Sequence, residues 1–290
     1  MVSDSSLKAV IRRVGREHGP VKAVAELLQE GMTVPFIARY RKEATGNLDE
    51  VAIQEIQEAM AYVHDLTERK ATILKTIREQ EKLTPELERE IASCLDKQQL
   101  EDLYLPFKPR RRTRATVARE RGLEPLPQQI LEGRQETLNT LAAPFVNEGE
   151  DGLSDVQQVL AGAGDIIAEL FSENAELRHF LRTAMIRNGI LEATVTDDWK
   201  EKRSKFEQYY EHREPVSKMP SHRILAIRRG EREKVLRSRI DLPWEGILKR
   251  ACALVIPREN PHRILLESIA EDTLKRLLLP SIELDVRSEL

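Results

Sequence analysis

The chain of 290 residues carries 46 Lys or Arg against 49 Asp or Glu, a net charge of only -3, so any nucleic-acid role has to rest on how charge is distributed. Hydrophobic residues at 40% can supply a sizeable core and exclude a disordered chain, while 4% aromatic and 33% charged residues favour helices packed through aliphatic stripes. No apolar run approaches the roughly 18 residues of a membrane span, Met1–Ser6 lacks a basic-then-apolar signal, and Cys94 and Cys252 lack the paired spacing of a zinc or redox site. The cysteines read as buried small hydrophobes in a reducing cytoplasm, with no role for a membrane.

A first helix is expected from about Ser6 to Glu17, stopped by Gly19-Pro20. Pro20 suits the opening turn of a second helix reaching Gln29, and Gly31 is a natural stop. Thr33 can cap a short third helix with Phe36, Ile37 and Tyr40 apolar and Arg39, Arg41 and Lys42 projecting elsewhere. Helix, short Gly-containing turn, helix is the helix-turn-helix outline; the plainer reading makes the same cations the solvated face of an ordinary helix pair. From Asp49 to about Gln80, Ile56, Met60, Val63, Leu66, Ala71, Leu74 and Ile77 recur at three- and four-residue intervals, save the five-residue step from Leu66 to Ala71. They define a helix of roughly 45–50 Å, a strut and not a catalytic element. Leu83-Thr84-Pro85-Glu86 restarts the chain with a cap and a first-turn Pro, sending Leu87, Ile91 and Leu95 inward. A turn near Asp96 then delivers Leu100, Leu103 and Tyr104 to Pro106-Phe107.

After Thr116-Val117-Ala118 a short helix ends near Gly122, and Pro125, Pro127 and Pro144 cut the following helices short. The most loop-like stretch runs from Asn147 to Gly152. Ser154 with Gln157 has capping-box spacing, and Asn188-Gly189 ends a helix bearing Leu177, Phe180, Leu181 and Met185. Leu191–Val195 alternates apolar and polar residues, as Val235–Ile240 does less cleanly; these are the expected strands. Phe206, Tyr209 and Tyr210 suggest a helix between them, followed by a short helix from Ser221 to Arg229. Asn260-Pro261 starts another, with Ile264, Leu265, Ile269, Leu274 and Leu277 apolar. Ser281–Leu290 opens a last helical pattern without a closing Gly, Pro or polar tail, which suggests a fragment of something longer. The fold class is mainly α: a multi-helix array with a helix-turn-helix-like N-terminal part, one long helix and at most a small sheet.

The six histidines are scattered without carboxylate or Cys partners at metal-ligand spacing. Gly162-Ala163-Gly164-Asp165 lacks the preceding strand and third glycine of a dinucleotide loop and reads as a break between helices. Asp197-Asp198 beside Trp199 and Lys200 suits a helix cap better than a Mg²⁺ site. Neither an enzyme nor a cofactor is expected. What is left is positive charge: Lys108, Arg110, Arg111, Arg112 and Arg114 follow the Leu105-Pro106-Phe107 anchor, and Lys218–Arg239 holds eight Lys or Arg against two Glu. The arginines suit bidentate phosphate contacts. An equally open reading pairs them with the segment Phe145–Arg178, which has eight acidic residues and one basic.

Val34–Glu50, which reads VPFIARYRKEATGNLDE, closely resembles the N-terminal signature of the bacterial transcription accessory protein Tex family. Leu100–Ala115, LEDLYLPFKPRRRTRA, resembles its second motif. Arg213–Val216, Pro220–Glu231 and Lys275–Glu283 extend the resemblance along essentially the whole chain, in family order. The resemblance implies a nucleic-acid-binding protein linked to transcription, whose YqgF-type RNase H-like, helix-hairpin-helix and OB-fold RNA-binding domains follow the point where this chain ends.

Residues 1–200 are expected to form a Tex N-terminal-like helical region with helix-turn-helix character, and 201–290 a linker and helical lead-in to a YqgF domain. Phosphate contacts are expected from Arg39, Arg41, Lys42, Lys108, Arg110, Arg111, Arg112 and Arg114, extended by Lys218, Arg228 and Arg229. The partner is RNA or DNA without sequence specificity. The alternative is a protein-interaction module docking RNA polymerase, the ribosome or the C-terminal domains.

Overall fold

A computed structural model describes residues 4–108, 112–147 and 153–290, which form two compact units divided in sequence between Lys108 and Pro109. In the first unit, α1 (Asp4–Val14), α2 (His18–Gln29) and α3 (Val34–Tyr40) pack against α4 (Glu50–Glu79), as do α5 (Pro85–Ser93) and α6 (Lys97–Tyr104). Helix α4 starts at Asp49, whose carboxylate accepts a hydrogen bond from the Ala52 N–H at 2.8 Å and so satisfies one of the helix's unpaired first-turn donors. Its apolar stripe serves two cores. Ile53, Ile56 and Val63 join Val21, Val24 and Ile37, whereas Leu66, Ile73 and Ile77 join Ile91, Leu100 and Tyr104. Ile73 takes the buried place expected for Ala71, which is exposed. Seven residues from Leu66 close two turns, while five leave the side chain rotated by about 140°. Leu95 is also exposed, at 44%, because Cys94 ends α5 in an extended conformation and fills the buried position itself.

The second unit comprises α7 (Arg114–Glu120), α8 (Pro125–Glu132), α9 (Leu138–Ala142), α10 (Val156–Ser172), α11 (Ala175–Asn188), β1 (Ile190–Val195), β2 (Glu211–Pro215), α12 (Ser221–Arg232), β3 (Leu236–Asp241), α13 (Trp244–Val255), α14 (Arg263–Thr273) and α15 (Leu279–Glu289). A π-helical turn, Leu274–Leu278, joins the last two helices. It precedes Pro280, whose ring and missing N–H cannot continue a regular α-helical ladder. One core forms around α10, where Val159, Ala163 and Ile167 meet Leu123, Leu126 and Leu266. The other sets Leu191, Ile240, Ile224 and Leu181 against Leu278 and Ile282.

The fold is mainly α with a small antiparallel sheet of order β2-β1-β3. Two further local expectations are corrected. Gly162–Asp165 does not break a helix but lies inside α10, which is capped by the Asp155 carboxylate on the Gln158 N–H. A Cβ on Gly162 would stand 2.5 Å from Leu123 Cδ1, so the glycine serves close packing. Around Tyr209 there is only a 3₁₀ turn, Glu207–Tyr209, leading into β2. The residues of β2 are held by pairing with β1 and not by an apolar face of their own: Glu192 of β1 lies opposite Arg213 on one neighbour and Arg239 on the other, and pairs with both, at 3.1 and 2.9 Å.

Candidate nucleic-acid interface

Helix α3 follows a four-residue turn after α2, with Gly31 in the left-handed region and Pro35 in its first turn. Thr33 occupies the position before the helix in an extended conformation, but its side chain makes no capping bond. Val34 and Ile37 are buried and fix one side of α3 to the core. The other side is not as the apolar pattern suggested: Phe36 is 41% and Tyr40 61% exposed. Their rings sit four residues apart on one face, with centroids 5.0 Å apart and planes inclined by 47°. The Arg41 guanidinium lies 5.9 Å from the Phe36 centroid, within cation–π range.

The chain beyond α3 is held by backbone geometry. Thr45, fully buried, donates its hydroxyl toward the carbonyl oxygens of Arg41 and Lys42 at 3.1 and 3.3 Å. Gly46 and Asn47 then take left-handed conformations, at φ 64° and 61°, before Asp49 caps α4. Glycine and asparagine are the residues that tolerate this turn. Arg39 on α3 and Arg41 and Lys42 after it are exposed, and among the described residues none of the three has an ion-pair partner. Arg39 and Lys42 border a shallow cleft of about 410 Å³ together with Pro35, Leu48 and the acidic Asp49 and Glu50.

The basic segment lies where the chain passes from one unit to the next. Phe107 packs on the α4–α6 core, and the Gln80 side-chain amide donates to its carbonyl oxygen at 2.9 Å. Lys108 follows, exposed. Arg110 and Arg111 lie outside the described residues, as do Pro109 and Glu148–Gly152 of the expected acidic loop. Arg112 is exposed but pairs with Glu120 at 2.7 Å. Thr113 and Thr116 form a reciprocal cap at the start of α7, and Arg114 is exposed on the rim of a concavity shared with Arg121 and Asp165. Glu169, from the acid-rich segment, binds Thr113 and Arg119 at 3.1 and 2.5 Å.

The extension on α12 is divided. Lys218 and Arg229 are exposed, whereas Arg228 donates to the Arg287 carbonyl oxygen of α15. Arg223 and Arg239 of the same basic stretch are committed to Glu214 and Glu192. Both cysteines are buried, and burial pushes each thiol above its ordinary range. No helix among the described residues is long and apolar enough to cross a membrane, and no cluster of His, Cys, Asp and Glu among them could hold a metal ion.

Comparison with known proteins gives these features a family. Residues 4–78 match the Tex-like protein N-terminal domain, and residues 134–290 match the Tex central region-like family. Protein YdcI of Bacillus subtilis is 39% identical over 285 residues, covering 97% of this chain and 39% of the relative. The transcriptional accessory protein Tex of Neisseria gonorrhoeae is 44% identical over 216 residues, 74% of this chain and 28% of the relative. The human S1 RNA-binding domain-containing protein 1 is 26% identical over 283 residues, 92% of this chain and 28% of the relative. The chain thus spans less than two fifths of the length of these relatives. With both family matches in chain order, and the central one alone covering more than half of its residues, the chain belongs to the Tex family.

Proposed function

We propose that the chain is the helical scaffold of a cytoplasmic transcription accessory protein and carries an auxiliary, phosphate-contacting surface for RNA or DNA, without catalytic chemistry of its own. One observation carries this reading: Arg39, Arg41 and Lys42, at the end of α3 and in the turn after it, are exposed and, among the described residues, have no ion-pair partner. Lys108 belongs to the same unit, while Arg114, Lys218 and Arg229 offer separate phosphate contacts on the second unit. Arg112 and Arg228, engaged within the fold, contribute less. The names of the relatives support the direction, one being a transcriptional accessory protein and another carrying an S1 RNA-binding domain. The α2–turn–α3 corner supplies a helix-turn-helix outline in which α3 faces the ligand.

The test is a titration of the chain with single- and double-stranded RNA and DNA at several salt concentrations. Beside it run two variants, Arg39→Gln/Arg41→Gln/Lys42→Gln and Arg110→Ala/Arg111→Ala/Arg112→Ala. Affinity should fall with salt, and removing three phosphate contacts should flatten the log–log slope by about 2 on single strands and nearly 3 on duplex DNA. Unchanged affinity and slope in both variants would refute the phosphate-contacting surface. The protein-docking alternative, toward RNA polymerase or the ribosome, would then have to account for the same cations.

A further inference from the structure

We infer that the exposed face of α3 is a stacking platform for unpaired nucleobases, with Phe36 and Tyr40 receiving the bases and the adjoining cations their phosphates. This rests on the nucleic-acid reading above and adds the form of the ligand and the groups that select it. An isolated exposed apolar side chain requires no explanation, because folded proteins show many. Phe36 and Tyr40 are a different case: two aromatic rings, adjacent on one short helix, in a chain with only 4% aromatic residues.

Three features narrow the ligand. The rings are inclined at 47° and each remains substantially exposed, so neither is consumed by packing on the other. The cations beside them specify an anionic partner, and Arg41 already lies near the face of Phe36 as a guanidinium does beside a π-system. The rings themselves offer bases a surface and almost no hydrogen-bonding pattern, the Tyr40 hydroxyl excepted. Inside a duplex the faces of bases are covered by their neighbours and only edges are presented to a groove. In a single strand the faces are open, and stacking on an aromatic side chain contributes about 1–3 kcal/mol per base with little regard to sequence. At seven residues α3 is about 10 Å long, enough for one or two bases. A polyanion whose bases are free therefore fits both halves of the patch, whereas a duplex fits only the cations.

The experiment uses the whole chain and fluorescence anisotropy of labelled oligothymidylate and oligouridylate, with two controls of equal length: an abasic phosphodeoxyribose strand and a DNA duplex. Phe36→Leu/Tyr40→Leu removes the π-faces from exposed positions, and circular dichroism establishes that it folds. We expect this variant to lose about ten- to a hundredfold in affinity for the base-bearing single strands and to keep its affinity for the abasic strand and the duplex. Arg39→Gln/Arg41→Gln/Lys42→Gln should weaken all of them. If the cation variant weakens binding while the Leu variant binds oligothymidylate and oligouridylate like the parent, the platform is wrong and the phosphate surface stands. Equal loss by the Leu variant on the abasic strand would also overturn stacking. If the parent binds none of these probes, both readings fall.

Discussion

Glu214 sits at the end of β2 where two partners reach it: Arg223 of α12 donates to its carboxylate at 2.6 Å, and a ring nitrogen of His212 lies 3.2 Å from the other oxygen. Tyr209 stands edge-on to the His212 ring, 5.4 Å between centroids, which fixes the imidazole's place. The Arg223 hydrogen bond, opposed by desolvation and assisted by the charges of Arg223 and His212, holds the Glu214 carboxyl below its usual range. A carboxyl depressed in the folded state favours folding when it is ionised. Its contribution is complete above the ordinary carboxylate range and disappears as pH falls through the lowered pKa. With the Arg223 side chain 42% exposed, screening limits the contribution, and Glu214→Gln should cost about 1 kcal/mol at neutral pH. Denaturant titrations at a series of pH values should show the parent and variant converging under acid. Parallel curves would mean that this pair does not supply the pH dependence.

At the scale of elements, α10 offers a paired test of why glycine interrupts its apolar stripe. In a helix interior, Gly→Ala ordinarily stabilises by roughly 0.5–1 kcal/mol. At Gly164 the new methyl would meet Ile269 Cδ1 at 3.6 Å, an ordinary contact, so Gly164→Ala should stabilise by about that amount. At Gly162 it would meet Leu123 Cδ1 at 2.5 Å, and Leu123 is fully buried with little room to yield. Overpacking there should exceed the propensity gain, and Gly162→Ala should destabilise by about 1 kcal/mol. Thermal or urea unfolding of the two single variants gives the answer; shifts of the same sign would show that α10 is not locked against Leu123. The same helix marks what sequence could and could not reveal. Helix α4 was legible because an Asp cap precedes an apolar stripe of constant period. Gly162–Asp165 reads as a break in the sequence because glycine marks both a helix end and a close approach, and only a partner such as Leu123, distant in sequence, separates them. Strand β2 was missed because Glu211–Pro215 has no apolar alternation and is held in place by the β1 backbone and by Glu192. On α3 the cations were legible in the motif, but the exposure of Phe36 and Tyr40 was not, since an aromatic beside Ile37 looks equally like core.

For the whole molecule, the distribution of apolar clusters sets the last expectation. Each of the four clusters draws its residues from one side of the Lys108–Pro109 division. The first unit holds 16 basic and 19 acidic residues, so the proposed attraction for nucleic acid rests on α3 and its surroundings and not on overall charge. Its two clusters share a single element, α4, which enters one through Ile53 and Ile56 and the other through Ile73 and Ile77. A continuous helix cannot readily melt at one end of this assembly without exposing apolar surface that it buries at the other. Residues 1–108 produced alone should therefore fold as one cooperative helical unit, within the size at which single domains form a core. Ile56→Ala and Ile77→Ala should each cost about 2–5 kcal/mol. Because α4 couples the clusters, either substitution should lower the same thermal transition, measured by circular dichroism at 222 nm, by a comparable amount. Two separated transitions, or one lowered by only one of the substitutions, would show that α4 joins its clusters in sequence but not in stability. A single shifted transition would make α4 the element through which packing at α5 and α6 keeps the aromatic and basic face of α3 in place.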